Sequence, residues 1–145
     1  MRAKTIALDV SYSQIAVFSS DLPDPFNHWT DEHVAQGFSW RPGSVSFATL
    51  VESGPHHVTV TVLEGKAPLS TGAVRAIEVP FEVPASGEIE IASISDSSTL
   101  ILPAGMYQLR YELLSFGKKD TPAANLTFWL ADDPLFVIAL ADSAS

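Results

Sequence analysis

Residues 77–91 read IEVPFEVPASGEIEI, and this stretch decides the fold class. Apolar side chains alternate with acidic or turn-forming ones on both sides of a Pro-Ala-Ser-Gly segment. Such period-two alternation puts successive side chains on opposite faces of a β-strand. The stretch therefore predicts two strands paired as a hairpin, with the apolar residues inward. The acidic residues on the predicted outer face are Glu78, Glu82, Glu88 and Glu90.

The same alternation recurs along the chain, for example at 45–51, 58–62 and 106–114. Each run ends at Gly, Pro or a cluster of Ser and Asp, which are residues that favour turns. We therefore predict an all-β fold, an antiparallel β-sandwich of about eight to nine strands. The last two apolar runs, 126–131 and 135–140, predict strands that are buried on both faces.

Residues 30–37 carry the one helical signal. Thr30 can cap a helix, and Asp31 and Glu32 fall in its first turn, where the helix dipole favours anions. Gly37 can supply the left-handed residue at the end. One short helix is therefore predicted within the β scaffold.

Length and composition favour a single domain over residues 1–145, with a disordered tail at about 142–145. The 145 residues can bury a core without a disulfide, and the chain has no cysteine, as is typical of a reducing compartment. The N-terminus lacks the apolar region of a signal peptide. The longest apolar run is too short to cross a membrane. We therefore expect a cytoplasmic protein without membrane insertion.

The charge of the chain restricts its partners. The formal net charge is −9, and the isoelectric point is near 4.6. Nucleic acids and anionic membranes are themselves negative, so direct binding to either is disfavoured. A basic protein is the partner that this charge favours.

Residues 21–40 form an acidic, aromatic insert on the β scaffold, a kind of segment that often carries function. The insert contains no Lys, and its acidic and tryptophan side chains are of the types that bind a basic protein surface. Packing of the aromatic residues onto the sheet is the alternative interpretation. The candidate partner-binding residues of the insert are Asp21, Asp24, Trp29, Asp31, Glu32 and Trp40.

The outer face of the predicted hairpin is the second candidate surface. Like charges opposite one another on a sheet are mildly destabilising. The glutamates on this face therefore indicate a use for them, such as an interface with a basic partner. The alternative interpretation is a solvent-exposed face of the sheet whose charges prevent aggregation.

Neither a metal site nor a catalytic site is expected. His28 and His33 are five residues apart, and His33 with Asp31 or Glu32 lacks the i, i+4 geometry of a helical metal pair. The adjacent His56 and His57 point to opposite faces of a strand. The sequence contains no nucleophile elbow, phosphate loop or dinucleotide fingerprint. We therefore predict no catalytic residues, no metal, no cofactor and no enzymatic activity.

Four blocks of the sequence resemble the ComJ family of competence proteins. They lie in order along the chain and are 8–18, 28–47 (which includes Trp-Thr-Asp-Glu at 29–32), 79–87 and 102–109. The Trp-Thr-Asp-Glu block, with Gly37 and Phe38 after it, is the most specific. The resemblance implies a small acidic protein that binds a DNA-entry nuclease and blocks it.

Two other functions stay open at this point. An immunity protein against a secreted nuclease toxin would use the same binding logic. A β-sandwich module that binds carbohydrate or lipid would instead use Trp29 and Trp40 as a stacking platform. The oligomeric state and the identity of the nuclease are not predicted.

Overall fold

The chain forms an all-β fold, as predicted from its alternating pattern. A computed structural model describes residues 2–23, 26–27, 29–49, 52–94, 96–114 and 122–140. The elements, in chain order, are β1 (Arg2–Val10), β2 (Gln14–Ser19), α1 (Asp31–Gln36), β3 (Phe38–Arg41), β4 (Ser44–Ala48), β5 (Gly54–Leu63), β6 (Ala73–Val83), β7 (Glu88–Ser93), β8 (Asp96–Ile101), β9 (Gly105–Leu114), β10 (Ala123–Leu130) and β11 (Val137–Leu140). The described residues thus contain eleven strands, more than the eight or nine expected.

The strands form two sheets that are mostly antiparallel. The six-stranded sheet has the order β1-β5-β10-β9-β6-β11, and the five-stranded sheet has the order β3-β4-β2-β7-β8. The β5–β10 pair is parallel, whereas β10 is antiparallel to β9. This two-sheet, all-β organisation confirms the predicted fold class.

The chain also divides into two compact units. Unit 1 comprises Met1–Ala7, Pro55–Phe81 and Met106–Ser145, and unit 2 comprises Leu8–Gly54 and Glu82–Gly105. The single domain over 1–145 stays a prediction beside this division. The predicted disordered tail lies outside the described residues.

Each unit has its own buried apolar residues. In unit 1, Phe128 packs edge-on against Phe81 and Tyr107, with ring centroids 6.2 and 6.0 Å apart. In unit 2, β2 and β7 contribute Val17 and Ile91, which are fully buried partners in register. β11 differs from its prediction, because Ile138 is 52% exposed. β11 lies at the edge of its sheet, where it has a strand on one side only.

The hairpin predicted for residues 77–91 is wrong. β6 is hydrogen-bonded to β9 and β11 in the six-stranded sheet, whereas β7 is paired with β2 and β8 in the five-stranded sheet. Alternation identifies a strand and its inward face, but it carries no information about the neighbouring strand. The Pro-Ala-Ser-Gly segment at 84–87 instead connects a strand of one sheet to a strand of the other.

Candidate functional site

The net charge of the chain is confined to unit 2. Ten of the seventeen Asp and Glu residues lie in its two segments, with Arg41 as its one Lys or Arg. Unit 1 contains the other seven acidic residues and the other seven basic ones, so its formal charge is zero. An acidic surface for a charged partner therefore belongs to unit 2.

The strand registers of unit 2 define two faces of the five-stranded sheet. One row across the sheet joins Trp40, Val45, Val17 and Ile91, and these residues belong to the apolar face. The next row lies on the opposite face and runs through Arg41, Ser44, Phe18, Glu90 and Thr99. A further row on that opposite face runs through Ser39, Ser46, Ala16, Ala92 and Ser97. We call the face that carries these last two rows the loop face.

The segment after β2 packs on the loop face. Phe26 meets Phe18 edge-on, with ring centroids 5.6 Å apart, and Leu22 packs against the same cluster of Phe18, Ala16 and Ala92. These contacts bury an apolar strip that would otherwise be exposed on the sheet.

Asn27 fastens the same segment to the sheet edge. Its Nδ2 donates to the backbone oxygens of Ser39 and Ser44 at 2.8 and 3.3 Å. Its Oδ1 accepts a 2.7 Å hydrogen bond from Nε of Arg41, which is the one Lys or Arg of unit 2. The Arg41 guanidinium therefore contributes to holding the segment.

The acidic residues of the insert lie before, within and after this packed segment in the sequence. Asp21 is exposed and accepts a hydrogen bond from the Ser19 hydroxyl. Asp31 and Glu32 occupy the first turn of α1, and both are exposed. Asp24 lies outside the described residues.

The two tryptophans of the insert do not share one surface. Trp29 is partly buried, and its indole N–H donates to Oε1 of Gln14 at 3.4 Å. Gln14 alternates with Ala16 and Phe18 on β2, so Trp29 lies on the loop-face side. Trp40 belongs to the apolar face, beside Val45. Sequence alone could not separate them, since their separation depends on strand register.

The glutamates of the predicted acidic hairpin are also separated. Glu88 is exposed and Glu90 is partly buried, and both alternate onto the loop face of β7. Glu82 is exposed near the end of β6, in the other sheet. The expectation of one shared outer row is therefore wrong, and Glu88 and Glu90 are the pair that stays together.

Glu78 is not on an outer surface at all, which corrects its predicted position. It is 2% exposed, and its Oε2 accepts a 3.0 Å hydrogen bond from Nε of Arg110. Its Oε1 accepts a 2.9 Å bond from Gln108. The Arg110 guanidinium also lies over the Trp129 ring, 5.1 Å from its centroid. This network satisfies both carboxylate oxygens of Glu78, as a buried charge requires.

Two negative findings concern other kinds of site. Within the described ranges, no group of three or more His, Cys, Asp or Glu residues is placed to hold a metal ion. Over those same residues, no helix has the length and apolar character needed to cross a bilayer.

The model of one protein family, described as Competence protein J (ComJ), matches residues 7–130. The chain belongs to the ComJ family. The match includes all ten acidic residues of unit 2 and ends before β11. The family thus extends over the charged unit and over the packed segment on its loop face.

Two solved structures share the fold of this ComJ family member. One is the crystal structure of ComJ from Bacillus subtilis, described as an inhibitor of the DNA degrading activity of NucA. It is 23% identical, covers 88% of this chain and 96% of its own, and has a TM-score of 0.77. The other, described as Crocagin biosynthetic gene J, is 17% identical, covers 90% of this chain and 99% of its own, and has a TM-score of 0.62. No curated protein sequence matches the chain.

Proposed function

We propose that this chain inhibits a DNA-degrading nuclease by binding it through the acidic surface of unit 2. The Bacillus subtilis ComJ structure, which shares the fold and covers most of the chain, is described as an inhibitor of DNA degradation and supports this role. Membership of the ComJ family supports the transfer.

The observation that carries the proposal is the confinement of the net charge to one unit. A nuclease must present positive charge to the phosphates of its substrate. Ten acidic residues against one Arg give unit 2 the complementary sign. Charge complementarity of this kind speeds association and orients the partners before they make close contact.

The loop-face side of unit 2 is the proposed contact surface. It combines exposed acidic residues with a packed aromatic segment, and a surface that is already ordered loses little conformational entropy on binding. Glu82 belongs to the surface only if the partner also reaches the end of β6. Asp24 stays a predicted member. The proposed contact residues with described positions are Asp21, Trp29, Asp31, Glu32, Glu88 and Glu90.

The mechanism is occlusion of the DNA-binding groove. The inhibitor occupies the positive groove in place of DNA, so it needs neither turnover nor a cofactor. We also propose that it acts in the cytoplasm, which its lack of cysteine supports.

A titration of DNA degradation tests the proposal. A basic nuclease encoded in the same genome is assayed with increasing amounts of the full chain. We expect inhibition that saturates at a fixed molar ratio and survives excess divalent metal, which separates direct binding from metal sequestration. Undiminished degradation at a large excess of the chain, for every such nuclease, would contradict the proposal.

The geometry argues against the carbohydrate- or lipid-binding alternative. A stacking platform of Trp29 and Trp40 would need both rings on one surface. Strand register puts Trp40 on the apolar face, whereas the Trp29 indole donates to Gln14, which alternates onto the loop face. An immunity role would use the same contact surface. The two contexts are distinguished by whether competence genes or secretion genes neighbour the gene of the inhibited nuclease.

A further inference from the structure

The loop face contains a pocket beside the packed segment, within unit 2. It has a volume of about 490 Å³ and lies where the segment after β2 stops covering the sheet, next to β7 and β8. The residues that line it are Phe18, Phe26, Glu90, Ala92, Ser93, Ile94, Asp96 and Ser97.

Part of the pocket lining consists of tightly packed apolar side chains. Phe18 and Ala92 are 5% and 2% exposed, and Phe26 packs edge-on against Phe18. Ser93 is also fixed, because its hydroxyl donates toward the backbone oxygens of Gln14 and Ser11 at 2.8 and 3.0 Å. The pocket therefore exists before any partner arrives.

Two acidic residues, Glu90 and Asp96, are among the residues that line the pocket. Glu90 is opposite Phe18 in the β2–β7 register, and among the described residues its carboxylate has no hydrogen-bond or ion-pair partner. Asp96 is held in place, since its Oδ2 accepts from the Asp9 backbone N–H and its Oδ1 from that of Ser97, both at 2.9 Å. Both carboxylates keep lone pairs available for a further donor.

We infer that this pocket receives an arginine side chain of the inhibited nuclease, an inference that rests on the proposed function. The methylene groups of an arginine would lie against Phe18 and Phe26 while its head group reaches Glu90. The planar guanidinium can bind the Glu90 carboxylate through two parallel hydrogen bonds and stack on an aromatic ring. A lysine ammonium offers neither of these, so it fits the site less well.

Two variants of the full chain test the pocket in the complex with the nuclease. Glu90→Gln removes the charge without changing the shape, and Ser97→Trp fills the pocket without changing the charge. Ser97 is exposed, so the added ring does not disturb buried residues. Glu52→Gln and Ser53→Trp are the matched controls, because both positions are exposed and neither lines the pocket.

Affinity measurements separate this inference from the proposed function. We expect each pocket variant to weaken nuclease binding about tenfold, mainly through faster dissociation, as for a central anchor residue. We expect the controls to change affinity less than about threefold, as for residues at the rim. Wild-type affinity in both pocket variants would overturn the pocket assignment and leave the inhibitory function intact. A wild-type chain that binds no nuclease would contradict the function itself.

An NMR titration with arginine amide tests the pocket without a nuclease. The amide signals of Glu90, Ala92 and Ser97 are expected to shift in the wild-type chain and to stay in place in Ser97→Trp. Lysine amide at the same concentration is expected to produce smaller shifts. Equal shifts with both amino-acid amides, or equal shifts at every acidic residue of unit 2, would overturn the arginine assignment.

Discussion

Glu78 and Arg110 form an ion pair in the interior of unit 1, with 3.0 Å between Oε2 and Nε and with side chains that are 3% and 2% exposed. The pair belongs to a larger polar network. Nη1 of Arg110 donates to the Pro68 backbone oxygen at 3.2 Å, and Gln108 exchanges two 2.9 Å hydrogen bonds with the backbone of Leu135. The network therefore joins two irregular segments to β9.

Glu78→Gln should destabilise the fold, because it leaves the Arg110 charge buried without a counter-charge. Removing one partner of a buried pair costs about 3–5 kcal/mol of unfolding free energy. Urea unfolding measures the change. Glu82→Gln, the same substitution at an exposed position of the same strand, should stay within about 0.5 kcal/mol of the wild type. Equal stability of the two variants would contradict the buried ion pair.

Alkaline pH should weaken the fold through Tyr111. Burial raises the pKa of the Tyr111 phenol well above its ordinary value, and the positive charge of Arg75 partly opposes this shift. The unfolded chain loses the phenol proton at about pH 10, while the folded chain still holds it. The unfolded state therefore gains stability, and the unfolding free energy falls, as pH rises above about 10.

Tyr111→Phe should flatten that alkaline fall, since the titrating group is gone. Urea unfolding is measured at a series of pH values from about 8 to about 11, roughly one unit above the ordinary tyrosine pKa. The measurements give the slope of the unfolding free energy against pH. Tyr12→Phe is the control, because the Tyr12 side chain is 75% exposed, and its slope should match the wild type. A Tyr111→Phe slope as steep as the wild-type slope would refute the role of this phenol.

Gly87→Ala should strain the turn between β6 and β7. Gly87 has φ +75°, and an added Cβ would lie 2.6 Å from the backbone oxygen of Leu102. The expected loss is about 1–3 kcal/mol of unfolding free energy. At Gly65 an added Cβ would meet nothing within 4 Å, so Gly65→Ala should be neutral or stabilise by less than about 1 kcal/mol. Thermal unfolding of the two variants decides the matter, and a Gly87→Ala protein as stable as wild type would contradict the close approach.

Neutralising three acidic residues of unit 2 should slow association with the inhibited nuclease. Asp31→Asn, Glu32→Gln and Glu88→Gln together are expected to lower the association rate constant about tenfold and to weaken its salt dependence. Stopped-flow measurements at several salt concentrations test this expectation.

Three exposed acidic residues of unit 1 supply the matched control for that experiment. Glu64→Gln, Asp132→Asn and Asp133→Asn remove the same charge, and they should change the rate constant less than about twofold if attraction comes from unit 2. An equal effect of both triple variants would show that net charge alone, without a located surface, controls association.

Several features of the fold could be predicted from local sequence. Alternation at 77–83 correctly placed Ile77, Val79, Phe81 and Val83 on a buried face, because side-chain direction in a strand depends only on sequence position. The pairing of that strand could not be predicted, because its neighbour β9 is distant in sequence. Because Arg110 on β9 pairs with Glu78, this acidic residue of the alternating pattern is buried.

Of the candidate site, too, some features could be predicted from the sequence and others could not. The acidic insert and its charge are visible in the sequence, whereas the pocket is not, because it forms where Phe18, Phe26 and Glu90 meet from three separate segments. Asp96 was missed for this reason, since its carboxylate is held by the backbone of Asp9, 87 residues away.

The sequence by itself determined the all-β class, the family and the sign of the charge, because each depends on composition or on short-range order. Only the tertiary structure decided which acidic residues share a surface. Glu78 and Glu82 belong to one strand, yet the first is buried against Arg110 and the second is exposed. Their environments depend on which strands and loops cover each position, and long-range strand pairing and packing alone decide that.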